Sequence, residues 1–293
     1  MDPLSHGDHF FEADGVRFHY FVRGTGSLMI AHTVGWGLPG NYLWNGMGPH
    51  LEKNNTVLYF EPRGNGESSR PADTSTMSAK TMAEDIEHLR AHLGLDVLPL
   101  LMGVSHAGAI VLRYAETHPS RVAKLILIST QIMDSPTNTH TRDCIIKRKD
   151  DPAYAASVAK LAAVLGSGGP KTDEEFHADM DILYPWYFSD VTKVEVLKKA
   201  KGSTLPSAFA FQTNLNDIKE DNKLPHVADA GKVTAKTLII RGEEDPMCSP
   251  VGSRTLAGGI HDSTFVTIPG VGHFPWIEKP DEFWVEFDKF LKT

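Results

Sequence analysis

An α/β architecture, with a mainly parallel sheet covered by helices and a helical insertion late in the chain, is predicted by three observations. Short apolar runs alternate with amphipathic helical segments between Val16 and Ile128. The alternation resumes from Lys236 to Leu291. Between the two blocks, from about Asp134 to Asp229, helical patterns occur without a convincing strand.

Val16 to Val22 alternates loosely and reads as an early edge strand, closed by the turn Arg23-Gly24-Thr25-Gly26. Leu28 to Ala31 is a short apolar strand running into the glycine-containing loop His32–Gly37. Thr56 to Phe60 is the next strand, followed by the turn-rich Glu61–Ser68. In Ala79–Leu93, Met82, Ile86, Leu89 and Leu93 recur at helical spacing, and Gly94 ends the helix. The apolar run from Leu98 ends at Gly103, and a helix from Ala107 to about His118 is stopped by Pro119. Val122 to Ile128 makes a further strand. Helices are then expected at 154–165, 173–183, 191–200 and 206–214. After them come a strand at 236–241, a helix at 251–256, a strand at 264–268 and a last helix at 281–291. If an early hairpin supplies the first two strands, the insertion falls after the sixth.

Composition narrows the function classes. The chain of 293 residues is 41% hydrophobic and carries a net charge of -8 without a basic block, which argues against nucleic acid and anionic membranes as partners. No apolar span reaches transmembrane length, and Met1–Asp8 lacks the pattern of a secretory signal. Cys144 and Cys248 have no metal-site spacing and read as free thiols of a cytoplasmic protein. His88 and His92 lie four apart on a helix, but no glutamate follows His88 and no third ligand is placed. No metal and no organic cofactor is expected.

The chemistry gathers in loops at the carboxyl ends of strands, where open parallel sheets place their sites. In Gly103-Val104-Ser105-His106-Ala107-Gly108, small residues flank a serine at the apex of a tight strand-to-helix turn. Gly242-Glu243-Glu244-Asp245-Pro246 follows one later strand, and Gly270-Val271-Gly272-His273-Phe274-Pro275 follows the last. Nucleophile, base and acid for acyl transfer are therefore read as Ser105, His273 and Asp245. Glu243 and Glu244 are the neighbouring alternatives to Asp245, and Asp134 is an outside one. An oxyanion hole needs two aimed N–H groups; His106 is expected to give one, and Thr33 or Val34 the other.

The elbow around Ser105 and the order Ser105, Asp245, His273 resemble the α/β-hydrolase fold superfamily. Glu61-Pro62-Arg63-Gly64-Asn65-Gly66-Glu67-Ser68 and Gly272–Pro280 resemble loops of its branch of proline iminopeptidases and epoxide hydrolases. Epoxide hydrolases carry aspartate where this chain has Ser105, and the family's common histidine-glycine-x-proline is replaced by His32-Thr33-Val34-Gly35. Ala107 stands where the common elbow has glycine. The resemblance implies an eight-stranded, mainly parallel sheet, a core domain of residues 1–134 and 230–293, and a helical cap of residues 135–229.

The expected activity is that of a serine hydrolase on a small ester, lactone, thioester or amide. Trp36 with Tyr184, Trp186, Tyr187, Phe188, Phe209 and Phe211 would wall an apolar pocket. A proline-iminopeptidase-like aminopeptidase is the enzymatic alternative, and it would need a cap carboxylate such as Glu174, Glu175, Asp179 or Asp181 to hold a free amine. A small-molecule receptor or a non-hydrolytic biosynthetic catalyst on the same fold is the alternative of another class.

Overall fold

The computed structural model describes residues 2–134 and 137–293. Its strands are β1 (Gly7–Ala13), β2 (Val16–Arg23), β3 (Ser27–His32), β4 (Asn55–Glu61), β5 (Leu101–Val104), β6 (Lys124–Ile128), β7 (Lys236–Gly242) and β8 (Ser263–Ile268). They form one eight-stranded sheet in the order β1-β2-β4-β3-β5-β6-β7-β8. The β1–β2 and β2–β4 pairs are antiparallel, and every pairing from β4–β3 to β7–β8 is parallel. This is the α/β-hydrolase architecture that the motifs imply.

One strand expectation needs correction. Val16–Val22 is not an edge strand, because β1 pairs along its outer side with Gly7 opposite Val22 and Ala13 opposite Val16. The connection is Asp14-Gly15, both at positive φ (48° and 71°), the two-residue hairpin that an Asp-Gly pair favours.

Alternation along the buried strands divides the core between the two faces of the sheet. Leu58, Phe60, Leu125 and Leu127 pack with Ile86 and Leu89 of the helix Ala79–His92, Ile110 and Val111 of His106–Thr117, and Leu256 of Pro250–Gly259. Val57, Tyr59, Ile126 and Ile128 belong to the opposite cluster, with Leu43, Phe283 and Phe287. That second cluster also takes in Phe176, Met180, Tyr184 and Leu197, so residues of the insertion share a continuous apolar core with one face of the sheet.

Between β6 and β7 no described residue lies in a strand, and α-helices occur at Thr137–Arg148, Ala155–Ser167, Asp173–Leu183, Val194–Lys201, Ala208–Thr213 and His226–Asp229. The first of these lacks the apolar periodicity that reveals a helix in sequence. Its residues are mostly polar, and it docks through its basic ones. The expected boundary after residue 134 falls at Ser135 and Pro136, outside the described residues. Among the described residues no helix is long and apolar enough to cross a membrane, and Cys144 and Cys248 are unpaired.

Candidate active site

β5 ends at Val104 and the next helix begins at His106, leaving Ser105 as a one-residue corner at φ 56° and ψ -119°. A non-glycine residue in that region is strained and persists only where its surroundings enforce it. Here Ser105 N–H donates to Ile128 O at 2.9 Å, and Ser105 O accepts from Gln131 N–H at 3.1 Å. The corner also requires bare backbone beside it. A Cβ on Gly103 would lie 2.4 Å from Ala107 O, and one on Gly108 would lie 2.3 Å from Thr130 Oγ1. Ala107 is fully buried and fits, so the departure from glycine there costs the corner nothing.

His273 and Asp245 come from the loops after β8 and β7, two adjacent parallel strands. His273 Nδ1 lies 2.9 Å from Asp245 Oδ2, and both side chains are buried. Asp245 Oδ1 accepts from the N–H groups of Met247 (2.9 Å) and Cys248 (3.1 Å). Burial pushes the Asp245 carboxyl up, but His273 foremost, then Arg241 and the Met247 N–H, outweigh it and hold the pKa below its ordinary value. An ionised Asp245 only accepts, so His273 carries its proton on Nδ1 and leaves the Nε2 lone pair free. Ser105 and His273 border the same cleft. No hydrogen bond joins them, and catalytic hydrogen bonds of this kind often tighten only in the substrate complex.

The alternative acids are engaged elsewhere. Glu244 pairs with Lys147 at 2.9 Å, Glu243 accepts from Gly270 N–H, and Asp134 accepts from Val227 N–H.

For the oxyanion hole, the structure separates the two candidates from the β3 loop. Thr33 is excluded because its N–H donates to Phe60 O at 3.0 Å, as a continuation of the β3–β4 ladder. Val34 is buried against the cleft, and its N–H has no hydrogen-bond partner among the described residues. His106 opens its helix, so its N–H has no intrahelical acceptor. The His106 side chain is not among those lining the cleft. Its Nδ1 accepts from Gly35 N–H (3.3 Å), and its Nε2 donates to Asp217 Oδ2 (2.9 Å).

The Glu61–Ser68 loop supports this arrangement from behind. Asn65 Oδ1 accepts from Gly37 N–H (2.8 Å), and Asn65 Nδ2 donates to Gly35 O (3.1 Å), pinning the loop at two points just after Val34. Arg63 makes a buried two-point ion pair with Asp85.

The cleft is walled by Trp36, Tyr42, Tyr184, Tyr187, Leu197 and Phe274, among others, and holds about 20 Å³ of free space, room for roughly one water. Of the aromatic residues expected to wall a pocket, Trp36, Tyr184 and Tyr187 line this cleft with Ser105. Trp186 does not: it is fully buried, with Nε1 on Met247 Sδ and Arg148 over its ring. Phe209 also lies elsewhere, packed near Gly64 beneath the Arg70 guanidinium. Phe188 packs against Phe274 at a tilt, and Phe211 meets Trp36 edge-on.

Three side chains escaped sequence reasoning. Lys201 borders the cleft. Asp217 bonds both to His106 and to Ala79 N–H (2.7 Å). Glu278 accepts from Gly272, Ser189 and Asp190 N–H groups at 2.7–2.9 Å, joining the His273 loop to the insertion. Glu278 follows His273 by one short turn, a spacing that could have flagged it.

Against known proteins, a model of the alpha/beta hydrolase fold matches residues 35–174. Proline iminopeptidase PfmaB of Pestalotiopsis fici is 25% identical over 286 residues, covering 93% of this chain and 95% of that one. The proline iminopeptidase of Lactobacillus helveticus is 28% identical over 247 residues, 80% of this chain and 79% of its own. An alpha/beta fold family hydrolase from Bacillus anthracis superposes with a TM-score of 0.76 at 18% identity, over 97% of this chain and 99% of that chain.

Proposed function

Because the chain is an α/β-hydrolase-fold protein that resembles the proline iminopeptidases, we propose that it is a serine hydrolase acting through an acyl-enzyme on Ser105, with a small carboxylic ester or lactone as substrate. The observation that carries this reading is the buried His273–Asp245 pair opening on the same cleft as the strained Ser105 corner. His273 Nε2 takes the Ser105 proton as Oγ attacks the carbonyl carbon, and Asp245 steadies the imidazolium that results. The N–H groups of His106 and Val34 receive the negative charge on the carbonyl oxygen. When the tetrahedral adduct collapses, the alcohol leaves with the proton from His273. Water, deprotonated by the same imidazole, then attacks the acyl-enzyme and frees the acid. The helical residues between β6 and β7 act as a cap that excludes bulk water from the reaction.

The names of the relatives favour an aminopeptidase as the second reading. That chemistry asks for a carboxylate to receive the substrate's free amine. Among the described residues lining the cleft there is none, and the cationic side chain there is Lys201. The considered acids are turned to other tasks. Glu174 is exposed, Glu175 accepts from Lys171 N–H, Asp179 pairs with Lys160 at 2.6 Å, and Asp181 lies 3.9 Å from Lys198. These placements support the ester reading.

A fluorophosphonate probe should add its mass once, on the peptide carrying Ser105, and Ser105→Ala should abolish both labelling and ester turnover. Parallel assays with p-nitrophenyl acetate and prolyl p-nitroanilide separate the two readings. Absence of labelling in folded protein would refute the serine mechanism, and faster cleavage of the anilide would transfer the assignment to the peptidase.

A further inference from the structure

Lys201 is the last residue of the helix Val194–Lys201, where basic residues usually face solvent and complement the helix dipole. Lys199 does so, and Lys198 reaches toward Asp181. Lys201 instead turns inward, is only 4% exposed, and borders the cleft that holds Ser105 and His273. Its ammonium makes no ion pair among the described residues. Its hydrogen bond is to His177 Nδ1, at 3.0 Å. Since that nitrogen accepts, the His177 proton sits on Nε2, which faces Asp181 Oδ2 at 3.8 Å. The nearest acid is therefore held off by a whole imidazole ring. Burial pulls the ammonium below its ordinary value, with Asp181 opposing that and Lys198 adding to it.

An ammonium has three N–H donors, and one is used. The residue lines the cleft together with Trp36, Tyr184, Leu197 and Phe274, and among the described residues no carboxylate pairs with its charge. A buried charge without a counter-charge is costly, and a carboxylate in bidentate or single charge-assisted contact is the group that relieves it. We propose that Lys201 receives a second carboxylate on the substrate, so that the site takes monoesters of dicarboxylic acids with the free acid on the acyl half. The acyl half follows from the two-step mechanism. A carboxylate there stays paired with Lys201 through both acylation and deacylation, whereas one on the alcohol would leave after the first step. This inference rests on the serine-hydrolase reading and specifies its substrate class.

The test compares monomethyl succinate, glutarate and adipate with the methyl esters of the matching ω-carboxamides, following acid release by chromatography. For the chain length that fits, kcat/KM of the acid should exceed that of its amide at least tenfold, the worth of about one charge-assisted hydrogen bond. In Lys201→Met that ratio should fall to one or below. A wild-type ratio of one or less at all three lengths overturns the proposal. So does an undiminished ratio in a Lys201→Met protein that still labels with fluorophosphonate. Should Lys201→Met fail to fold, inhibition of the wild type decides: the free dicarboxylates should compete at least tenfold better than their monoamides, and equal inhibition overturns the proposal. Loss of Ser105 labelling together with inertness toward both ester series would instead refute the hydrolase reading itself. Labelling without acid preference removes only the role of Lys201.

Discussion

At the scale of single residues, the candidate chemistry depends on one proton being on the right nitrogen. Asp245 enforces Nδ1–H on His273 because an ionised carboxylate cannot donate. An asparagine can donate, and would stabilise the opposite tautomer with no base facing Ser105. Asp245→Asn is therefore expected to lower kcat by about 10³–10⁴-fold, while Glu243→Gln and Glu244→Gln stay within a few-fold. Steady-state kinetics on the three variants checks this, and a near-native kcat in Asp245→Asn would remove Asp245 from the mechanism. The same pair bears on acid stability. The folded pKa of Asp245 lies below its ordinary value of 3.8, so its contribution is present above that pH and lost as pH falls through the folded value. Thermal midpoints of Asp245→Asn should accordingly depend less on pH than those of the wild type below about pH 3.8. An unaltered acid limb would show that this carboxylate is not linked to folding.

At the scale of elements, the loop after β3 is held by another loop rather than by its own strand. Asn65 satisfies Gly37 N–H and grips Gly35 O, so the segment immediately after Val34 is held in place by a side chain from the loop after β4. Asn65→Ala leaves a buried N–H without its acceptor, at about 1–3 kcal/mol, and lets Val34 drift. Acting through Val34, Asn65 is a positioning residue, and its loss should cost kcat about 10- to 1000-fold with KM changed little. A change confined to the thermal midpoint would assign it to the fold alone. Such couplings explain what the sequence could and could not disclose. The elbow, the histidine loop and the acid loop are legible because each needs several particular residues in a row: small ones around Ser105, glycines before His273. Thr33 and Val34 look equivalent in sequence, and a ladder bond to Phe60 distinguishes them. Lys201 reads as an ordinary basic residue of a last helical turn until the inward packing of Leu197, one turn before it, carries it to the cleft. Trp186 and Phe209 are aromatic residues of the insertion like Tyr184, and composition cannot say which of them faces the cleft. By contrast β1 was signalled, through Asp14-Gly15.

At the scale of the whole molecule, two polar latches fasten the insertion to the sheet. Asp217 ties it to His106 and to the start of the helix Ala79–His92, and Glu278 ties residues 189–190 to the loop that carries His273. Asp217→Ala should loosen the first latch without touching the apolar core. The expected result is a thermal midpoint a few degrees lower, since about 1 kcal/mol shifts a chain of this size by roughly 2–4 °C. KM for bulky esters should also fall. An unchanged KM would mean that the insertion does not gate the cleft. The direction of that second effect follows from the 20 Å³ the cleft leaves free. A ligand larger than that space enters only from a more open population, and its apparent dissociation constant is the intrinsic one divided by that population. The divisor is the same for every ligand that needs the same opening. Ratios of affinity among substrates then report the walls around Ser105, and absolute affinities report how tightly the latches are closed.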